Sequence, residues 1–381
     1  MNFIRLLDLR NRSSSAFIFG PRMTGKTTLL RLVESSHYFD LLDPAEEMRY
    51  RHEPRLFWEQ VQAFPPQSVI VVDEIQKIPE LLNYVQMGID QFGHRFLLSG
   101  SSARKLKRGG ANLLGGRALD CKLFPLTIRE LNGNIRIDDI LQYGSLPRIS
   151  TLIAERDIAL VNGLLKSYVT TYIKEEIQAE ALTRNIGAFQ RFLSIAAQSN
   201  AQIIEFANIF RECSVPMSTV KTYYQILEDT QLGSFLWPFD HNERKKSRPK
   251  FYFFDCGVTR AIQNQLSNAP LPDETGFLFE TFMVNEIHRL NEYLGKSHEI
   301  SFWRQRNNEI DIIVSDGHGP KLAIECKSEK STPSPVPLNA FKARFPDVPL
   351  IVASLTDSLP RKMEWGEILP WKDAVERYST L

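Results

Sequence analysis

The sequence contains few cysteines and no long uninterrupted apolar run. Its four cysteines are scattered without C-x-x-C spacing, at Cys121, Cys213, Cys256 and Cys326. This pattern indicates neither a zinc site nor a disulfide framework and favours a reducing compartment. The first residues, Met1 to Asp8, lack the apolar core and cleavage site of a signal peptide, and no segment is long enough to span a bilayer. We therefore expect a soluble cytoplasmic protein without a membrane partner.

An excess of charge of one sign is also missing. Lys and Arg together number 46 and Asp and Glu together number 45, which leaves a net charge of +1. No global positive field marks a nucleic-acid-binding protein, so any basic surface must be local. A chain of 381 residues corresponds to two or three domains with separate cores. We predict domains at residues 1–130, 131–250 and 251–381.

One segment fits the phosphate-binding pattern G-x-x-x-x-G-K-[ST]. An apolar run at residues 16–19 leads into it as a buried strand, and residues 28–33 follow with helical spacing. The glycines allow backbone N–H groups to point at phosphate oxygens, and the helix N-terminus reinforces this. Lys26 is expected to reach the β- and γ-phosphates of ATP, and the Thr27 hydroxyl is expected to hold Mg²⁺. The predicted ATP-binding residues of this segment are Gly20, Pro21, Arg22, Met23, Thr24, Gly25, Lys26, Thr27 and Thr28.

A second motif places two carboxylates at the end of an apolar strand. Residues 68–72 read Ser-Val-Ile-Val-Val and run directly into Asp73 and Glu74. Such an apolar strand is typical of a parallel sheet covered on both faces. Together with the phosphate-binding loop, the motif predicts that Asp73 binds the nucleotide's Mg²⁺, usually through water. Glu74 is predicted to polarise the water that attacks the γ-phosphate.

Polar residues also follow the predicted strand at residues 95–98. The carboxyl edge of an open α/β sheet faces the ligand, so Ser99 or Ser101 could sense the γ-phosphate or position the water. Helix capping by a serine is the alternative. Arg117 precedes another predicted strand, residues 119–124, where an arginine finger acting on a neighbouring subunit is expected. We therefore predict a homo-oligomer, as a ring or partial ring. The other basic residues nearby (Arg104, Lys105, Lys107 and Arg108) are typical of a solvated face.

Residues 16–130 resemble an AAA+-type ATPase module of the additional-strand class. The segments Leu123–Glu130 and Tyr143–Pro147 narrow the resemblance to a widespread prokaryotic family of AAA-like ATPases with a largely uncharacterised C-terminal region. The resemblance covers nearly the whole chain. It implies an α/β fold with a parallel P-loop NTPase sheet and a requirement for ATP and Mg²⁺, and it says little about biological role.

The middle of the chain is predicted to be helical. Apolar spacing predicts one long helix from Arg156 to Leu182. Helices at 186–197, 203–210 and 219–228, followed by a strand at 233–237, suggest a winged helix. The third helix, capped by Ser218 and carrying Tyr223 and Tyr224, occupies the position of a recognition helix. Dimerisation and lid domains use the same fold, which leaves that alternative open.

A basic segment follows this region. Residues 244–250 contain five positive charges in seven positions. They could bind a phosphate backbone with salt-dependent affinity, which makes DNA the predicted partner. A charged flexible loop is the alternative.

The C-terminal region is predicted to follow the order α-β-β-β-α-β between residues 277 and 353. With Asp311 followed by Glu325-x-Lys327, this order resembles the PD-(D/E)XK restriction-endonuclease-like fold. Alternation along a strand places Glu325 and Lys327 on one face, and an antiparallel partner would bring Asp311 beside them.

Two carboxylates in this position would bind Mg²⁺, and Lys327 would orient the attacking water. Glu280, on the preceding helix, would bind metal or support the site. An inactive nuclease fold retained for DNA binding or assembly is the alternative.

These motifs predict a Mg²⁺-dependent AAA+-like ATPase that acts on DNA and is coupled to a C-terminal metal-dependent endonuclease. The alternative is an ATP-gated switch or assembly protein whose C-terminal domain does not cut and serves for docking or DNA binding.

Overall fold

The computed structural model describes residues 3–10, 13–101, 106, 114–173, 186–239, 248–329 and 333–381. The basic residues Arg104, Lys105, Lys107 and Arg108 and residues 244–247 therefore lie outside the described residues. The chain divides into two units, Met1–Leu126 with Asp229–Leu232, and Thr127–Glu228 with Gly233–Leu381. The three predicted domain boundaries stay predictions. Within the described residues, no helix combines the length and hydropathy needed to cross a bilayer.

The N-terminal unit is built on a five-stranded parallel sheet. Its strands are β1 (Ser15–Phe19), β2 (His37–Asp40), β3 (Val69–Asp73), β4 (Arg95–Gly100) and β5 (Ala118–Lys122). They lie in the order β2-β3-β4-β1-β5, and each neighbouring pair is parallel. β4 therefore separates the strand of the phosphate-binding loop from the strand that carries Asp73. The predicted parallel α/β sheet of the P-loop NTPase type is confirmed, and β4 is its additional strand.

Helices cover this sheet and close its core. They are α1 (Lys26–Arg31), α2 (Pro44–His52), α3 (Pro54–Ala63) and α4 (Leu81–Phe92), with a 3₁₀ turn at Ile75–Lys77. Asp43 begins α2 by accepting a hydrogen bond from the Ala45 N–H at 2.8 Å, and Pro44 fits the first turn, which needs no N–H donor. α3 buries Phe57 and Val61 against the strands, at roughly 1.5–3 kcal/mol of favourable burial for each side chain.

The structure next describes four helices, of which only the last, with the π-helical turn after it, lies within the segment predicted as one helix from Arg156 to Leu182. They are α5 (Ile128–Leu131), α6 (Ile137–Tyr143), α7 (Pro147–Ala154) and α8 (Ile158–Ser167), with a π-helical turn at Tyr168–Ile173. α8 begins at Ile158 because the Asp157 side chain accepts from the Leu160 N–H at 3.1 Å. The predicted start at Arg156 was wrong, since Arg156 has a left-handed backbone with φ +61°. Residues 174–182 of the predicted helix lie outside the described residues.

Three helices and a hairpin form the next part of the C-terminal unit. They are α9 (Ile186–Gln198), α10 (Phe206–Cys213), α11 (Met217–Asp229), β6 (Gly233–Leu236) and β7 (Lys250–Phe253), with β6 and β7 antiparallel. Ser218 lies inside α11 and not at its cap. Tyr223 and Tyr224 are buried, and the Tyr224 ring packs edge-on against Phe192 and Phe251. These tyrosines form the core and cannot face a ligand.

The Tyr143–Pro147 segment has a structural role in this unit. Gly144 has φ +79°, and a Cβ there would overlap the Asp255 carboxylate. Asp255 accepts from the Ser145 N–H at 2.8 Å, and Arg289 donates to the Ser145 hydroxyl at 3.0 Å. The glycine and serine of the motif therefore join α6 to a buried charged pair.

The remainder of the unit is a mixed six-stranded sheet. Its strands are β8 (Glu299–Gln305), β9 (Asn308–Asp316), β10 (Gly319–Lys327), β11 (Leu350–Ser354), β12 (Arg361–Met363) and β13 (Gly366–Pro370), in the order β12-β13-β11-β10-β9-β8. The helices are α12 (Cys256–Ile262), α13 (Pro272–Tyr293), α14 (Pro335–Arg344) and α15 (Trp371–Ser379). The predicted order α-β-β-β-α-β corresponds to α13 through β11. β12, β13 and α15 were not predicted.

Candidate functional site

The phosphate-binding loop is shaped by two glycines between β1 and α1. Gly25 has φ +93°, a conformation that favours glycine, and its carbonyl accepts the first α-helical bond from the Leu29 N–H at 2.9 Å. A Cβ on Gly20 would overlap the carbonyl oxygen of Leu123, which lies directly after β5. Both glycines are thus required by local geometry.

Lys26 is buried in this loop, with 6% of its surface exposed. Its Nζ donates to the carbonyl oxygens of Gly20 at 2.7 Å and Pro21 at 3.1 Å. The Thr24 hydroxyl donates to the Pro21 carbonyl at 2.9 Å and is also buried. The ammonium is therefore held over the loop by neutral acceptors. Phosphate oxygens would be stronger acceptors for the same group.

The remaining residues of the loop differ in exposure. Arg22, Met23 and Thr27 are half-buried, and Thr28 is exposed. Sequence reasoning missed Arg5, whose guanidinium donates to the carbonyl oxygens of Thr24 and Phe124, each at 2.7 Å. Arg5 belongs to no motif, so the sequence did not indicate that it would hold the backbone of the phosphate-binding loop.

Asp73 lies at the carboxyl end of β3 and is fully buried. Its Oδ1 accepts a hydrogen bond from the Ser99 hydroxyl on β4. Its Oδ2 accepts from the Tyr38 hydroxyl on β2 at 2.6 Å. Burial, with the neighbouring Asp73 charge, raises the pKa of Tyr38 far above its ordinary value, so the phenol stays a donor. Three adjacent strands therefore converge on one carboxylate, and Tyr38 is a second residue that sequence reasoning missed.

Glu74 turns away from the strand immediately after Asp73. Its backbone is left-handed, with φ +60° and ψ +47°, which costs a non-glycine residue on the order of 1 kcal/mol. Its N–H donates to the Ser99 hydroxyl at 2.9 Å, and its carboxylate accepts from the Gln76 side chain. Ser99 therefore connects the side chain of Asp73 to the backbone of Glu74. Gln76 was not predicted.

The two candidate sensor serines are placed differently. Ser99 makes the contacts with Asp73 and Glu74. Ser101 lies just beyond β4, is 5% exposed, and its buried hydroxyl has no hydrogen-bond partner among the described residues. Its role as a γ-phosphate sensor stays a prediction.

These residues fit ATP and Mg²⁺. Lys26 and the loop backbone lie where the motif predicts the phosphates, and the Ser101 hydroxyl, for which the described part of the chain supplies no hydrogen-bond partner, lies where β4 ends. Both oxygens of Asp73 already accept hydrogen bonds, from Tyr38 and Ser99. The Thr27 hydroxyl lies in the first turn of α1, where the motif predicts a direct Mg²⁺ ligand.

Arg117 lies at the opposite edge of the sheet from Lys26. It immediately precedes β5, whose first residue pairs with Ser15 at the start of β1. Five-residue strands separate the two edges by roughly 16 Å. Its Nε donates to Asp90 at 2.6 Å, and this guanidinium lowers the pKa of Asp90. Arg117 is therefore placed away from the phosphate loop of its own sheet, and its predicted action on a neighbouring subunit stays a prediction.

Two of the predicted C-terminal metal residues, Glu280 and Asp311, lie around a lysine together with Glu309, which was not predicted. The Lys250 side chain is 4% exposed, and its Nζ lies 2.7 Å from Glu280 Oε1, 2.5 Å from Glu309 Oε1 and 3.7 Å from Asp311 Oδ1. The Tyr252 hydroxyl donates to the same Glu280 oxygen at 2.5 Å. Lys250 was placed in a basic loop on phosphate; that interpretation was wrong for this residue, which is buried among carboxylates.

Asp311 and Glu325 lie on the antiparallel pair β9 and β10. Asp311 Oδ2 accepts from the Cys326 N–H at 2.8 Å, and Glu325 Oε2 is buried with no partner among the described residues. Burial, and then the Glu280 charge, raise the pKa of Asp311 to about 7; burial and Asp311 raise the pKa of Glu325 well above its ordinary value. Burial lowers the pKa of Lys250, but the surrounding acidic groups raise it further, so it stays charged.

This arrangement does not fit a divalent metal. Glu280, Asp311 and Glu325 lie together, but an ammonium group occupies the space between Glu280, Glu309 and Asp311. Among the described residues, no group of three or more His, Cys, Asp or Glu side chains has the geometry of a metal site. Lys327 is half-buried on the strand that carries Glu325. We therefore derive no metal-dependent step at this cluster.

Comparison with known proteins assigns the N-terminal unit to a known domain type. Residues 12–132 match an AAA domain (AAA_14), and residues 135–269 and 275–372 match two domains of unknown function (DUF8612 and DUF4143). The N-terminal unit is therefore a P-loop AAA-type ATPase domain, which supports nucleotide binding. The winged-helix and endonuclease-like assignments of the later regions stay predictions.

Two proteins that are similar to most of this chain are described only as uncharacterized. An uncharacterized protein of Mycobacterium tuberculosis is 27% identical over 341 residues, which cover 87% of this chain and 74% of the relative. One from Methanocaldococcus jannaschii is 21% identical over 376 residues, with coverage of 87% and 79%.

Two solved structures are also similar to this chain. Aeropyrum pernix ORC1 in complex with DNA is 14% identical and has a TM-score of 0.31, with coverage of 67% of this chain and 86% of that chain. Replication initiator DnaA bound to AMPPCP and single-stranded DNA is 13% identical, with a TM-score of 0.30 and coverage of 59% and 85%.

Proposed function

We propose that this protein is an ATP-gated switch that hydrolyses ATP with Mg²⁺ at the carboxyl edge of its N-terminal sheet. The observation that carries the proposal is the Ser99 hydroxyl, which contacts both the Asp73 carboxylate and the Glu74 N–H. A change in the charge or position of Asp73 is thereby transmitted directly to the residue proposed to act on water.

Different residues of the site bind ATP and promote its hydrolysis. Lys26 exchanges its carbonyl acceptors for the β- and γ-phosphates when ATP binds. Mg²⁺, when bound, supplies positive charge that stabilises the developing charge on the phosphates. Asp73 is oriented by Tyr38 and Ser99. The left-handed backbone of Glu74 sets the direction of its side chain, and Gln76 positions the Glu74 carboxylate. This carboxylate orients the attacking water.

ATP binding and turnover of three variants test this assignment. Lys26→Ala should lose nucleotide binding, because the loop loses its buried cation. Glu74→Gln should bind ATP with unchanged affinity and lose turnover, because the amide cannot polarise water. Glu34→Gln, an exposed position after α1, is the matched control and should resemble wild type. Equal turnover in wild type and Glu74→Gln would remove the proposed role of that carboxylate.

We further propose that DNA is the partner of this switch, through a winged-helix module to which α9, α10, α11, β6 and β7 contribute. Three helices followed by an antiparallel hairpin support this. Several polar residues are exposed on α11, including Ser218, Lys221, Thr222 and Gln225. Fluorescence anisotropy with single-stranded, duplex and branched DNA measures binding, and ATP turnover with each measures coupling. Lys221→Ala should weaken binding and reduce its salt dependence. Binding unaffected by Lys221→Ala and Gln225→Ala would exclude α11 as the contact surface.

Between the two functions that the motifs allow, the ammonium group of Lys250 favours a switch over a metal-dependent nuclease. A C-terminal unit without a metal site would serve for docking or DNA binding. Incubation of a plasmid with Mg²⁺ should therefore leave it intact. Cleavage that disappears in Asp311→Ala would restore the nuclease function.

A further inference from the structure

A lysine side chain is the central cation of the acidic cluster in the C-terminal unit. Its carboxylate partners come from two elements, Glu280 from α13 and Glu309 and Asp311 from β9. The Phe302 ring lies 5.6 Å from the ammonium nitrogen on another side. Lys250 therefore connects strand β7 to α13 and β9, the elements that carry the predicted metal ligands Glu280 and Asp311.

Buried carboxylates require a positive charge or protons to offset their loss of hydration. Glu280 and Asp311 are each 9% exposed, so solvent cannot supply much of this stabilisation. The ammonium offers three donors, and two carboxylate oxygens lie within 2.7 Å of it. Lys250 thus meets the electrostatic requirement that a divalent ion would otherwise meet.

The backbone around Lys250 is held on both sides. The Ile204 N–H donates to the Pro249 carbonyl at 2.8 Å, and the Ala201 N–H donates to the Phe251 carbonyl at 2.9 Å. Lys250 itself pairs with Leu236 across the hairpin. Removing the ammonium from the cluster by moving the strand would break these bonds, so the lysine is a fixed part of the site.

We propose that Lys250 is a built-in cation that keeps this cluster closed to divalent metal, and that the carboxylates form a latent metal site when the ammonium is absent. A metal ion bound to Glu280 and Asp311 would need oxygen ligands at roughly 2.0–2.6 Å. That position is within the space that the ammonium nitrogen fills, and two cations there would repel each other.

Binding of Mn²⁺ to full-length, nucleotide-free protein tests the proposal. All proteins carry Asp73→Asn, so that the N-terminal carboxylate does not contribute. Lys250→Met keeps an unbranched side chain one atom shorter than lysine and removes its charge. It should bind one Mn²⁺ per chain at least tenfold more tightly than the parent, as measured by electron paramagnetic resonance of free Mn²⁺. Adding Asp311→Asn should abolish the gained binding.

Lys250→Arg is the matched control and should bind no more Mn²⁺ than the parent, because it retains the cation. Circular dichroism establishes that each variant is folded, and Lys250→Gln replaces Lys250→Met if the latter is not. Stoichiometric Mn²⁺ binding by the parent that is lost with Asp311→Asn would overturn the proposal. A folded Lys250→Met or Lys250→Gln protein with no gain in binding would overturn it as well.

Discussion

The change Tyr38→Phe removes one hydroxyl group from the carboxylate edge of the N-terminal sheet. That hydroxyl donates to Asp73 Oδ2 at 2.6 Å, and Ser99 supplies the donor to the other oxygen. Asp73 has no exposed surface, so water cannot simply take the place of the phenol. We expect the variant to bind ATP normally, because the phosphate loop is unchanged, and to hydrolyse it more slowly.

The size of the stability loss in Tyr38→Phe follows from the charge of the acceptor, Asp73. A hydrogen bond to an ionised group contributes roughly 1.5–3 kcal/mol, so Tyr38→Phe should destabilise the nucleotide-free N-terminal unit by about 2 kcal/mol. For a unit of this size that loss corresponds to a melting temperature lower by roughly 5–10 °C. If about two thirds of the same energy orients Asp73 in the transition state, turnover falls by about tenfold.

Tyr50→Phe is the matched control within the same unit. The Tyr50 hydroxyl donates to the neutral Gln60 Oε1 at 2.7 Å and also interacts with the Glu46 carboxylate, and it makes no contact with Asp73 among the described hydrogen bonds. Its loss should cost about 1 kcal/mol of stability and leave turnover unchanged. Calorimetry of the transition that shifts with Mg²⁺–ATP, together with steady-state ATP turnover, measures both quantities. Equal turnover in the two variants would refute the role of Tyr38 in orienting Asp73.

Three further predictions concern other parts of the chain. Ser99→Ala should reduce ATP turnover by roughly 100-fold, which corresponds to about 2.7 kcal/mol in the activation free energy. Ser101→Ala should mainly weaken the discrimination between ATP and ADP. If Ser101→Ala instead lost turnover and Ser99→Ala lost discrimination, the two assigned roles would have to be exchanged. Arg117→Ala should lose on the order of 10³-fold in turnover, and mixing it with Lys26→Ala should recover activity if the finger acts between subunits. No recovery in a mixed assembly established by light scattering would exclude that action. Burial raises the pKa of Glu286 from 4.5 to about 7, so the folded state binds more protons than the unfolded state between these values, and stability falls as pH rises through that window. Glu286→Gln should therefore stabilise the C-terminal unit at pH 8 by on the order of 3 kcal/mol and have little effect at pH 4, as measured by urea unfolding.

Much of the N-terminal unit could be predicted because its signals are local. The spacing from Gly20 to Thr27 determines a turn between a strand and a helix, and the apolar run before Asp73 determines a buried strand. These patterns depend on residues within a few positions of each other, and at that range backbone geometry and burial determine the local conformation. The parallel sheet was implied by the resemblance of these motifs to a known type of domain, whereas the order of its five strands was not predicted and comes from the tertiary structure.

The sequence by itself also determined which acidic residues share the C-terminal sheet, since strand alternation and an antiparallel turn bring Asp311 toward Glu325. Only the tertiary structure decided what they surround. Lys250 is 61 positions before Asp311 and looked like part of an exposed basic segment, and Tyr38 is 35 positions before Asp73. The physical reason is that hydration of a charge depends on every group packed around it, whatever its distance along the chain. A lysine that would be solvated in a loop becomes the counter-ion of three carboxylates when folding removes the water between them.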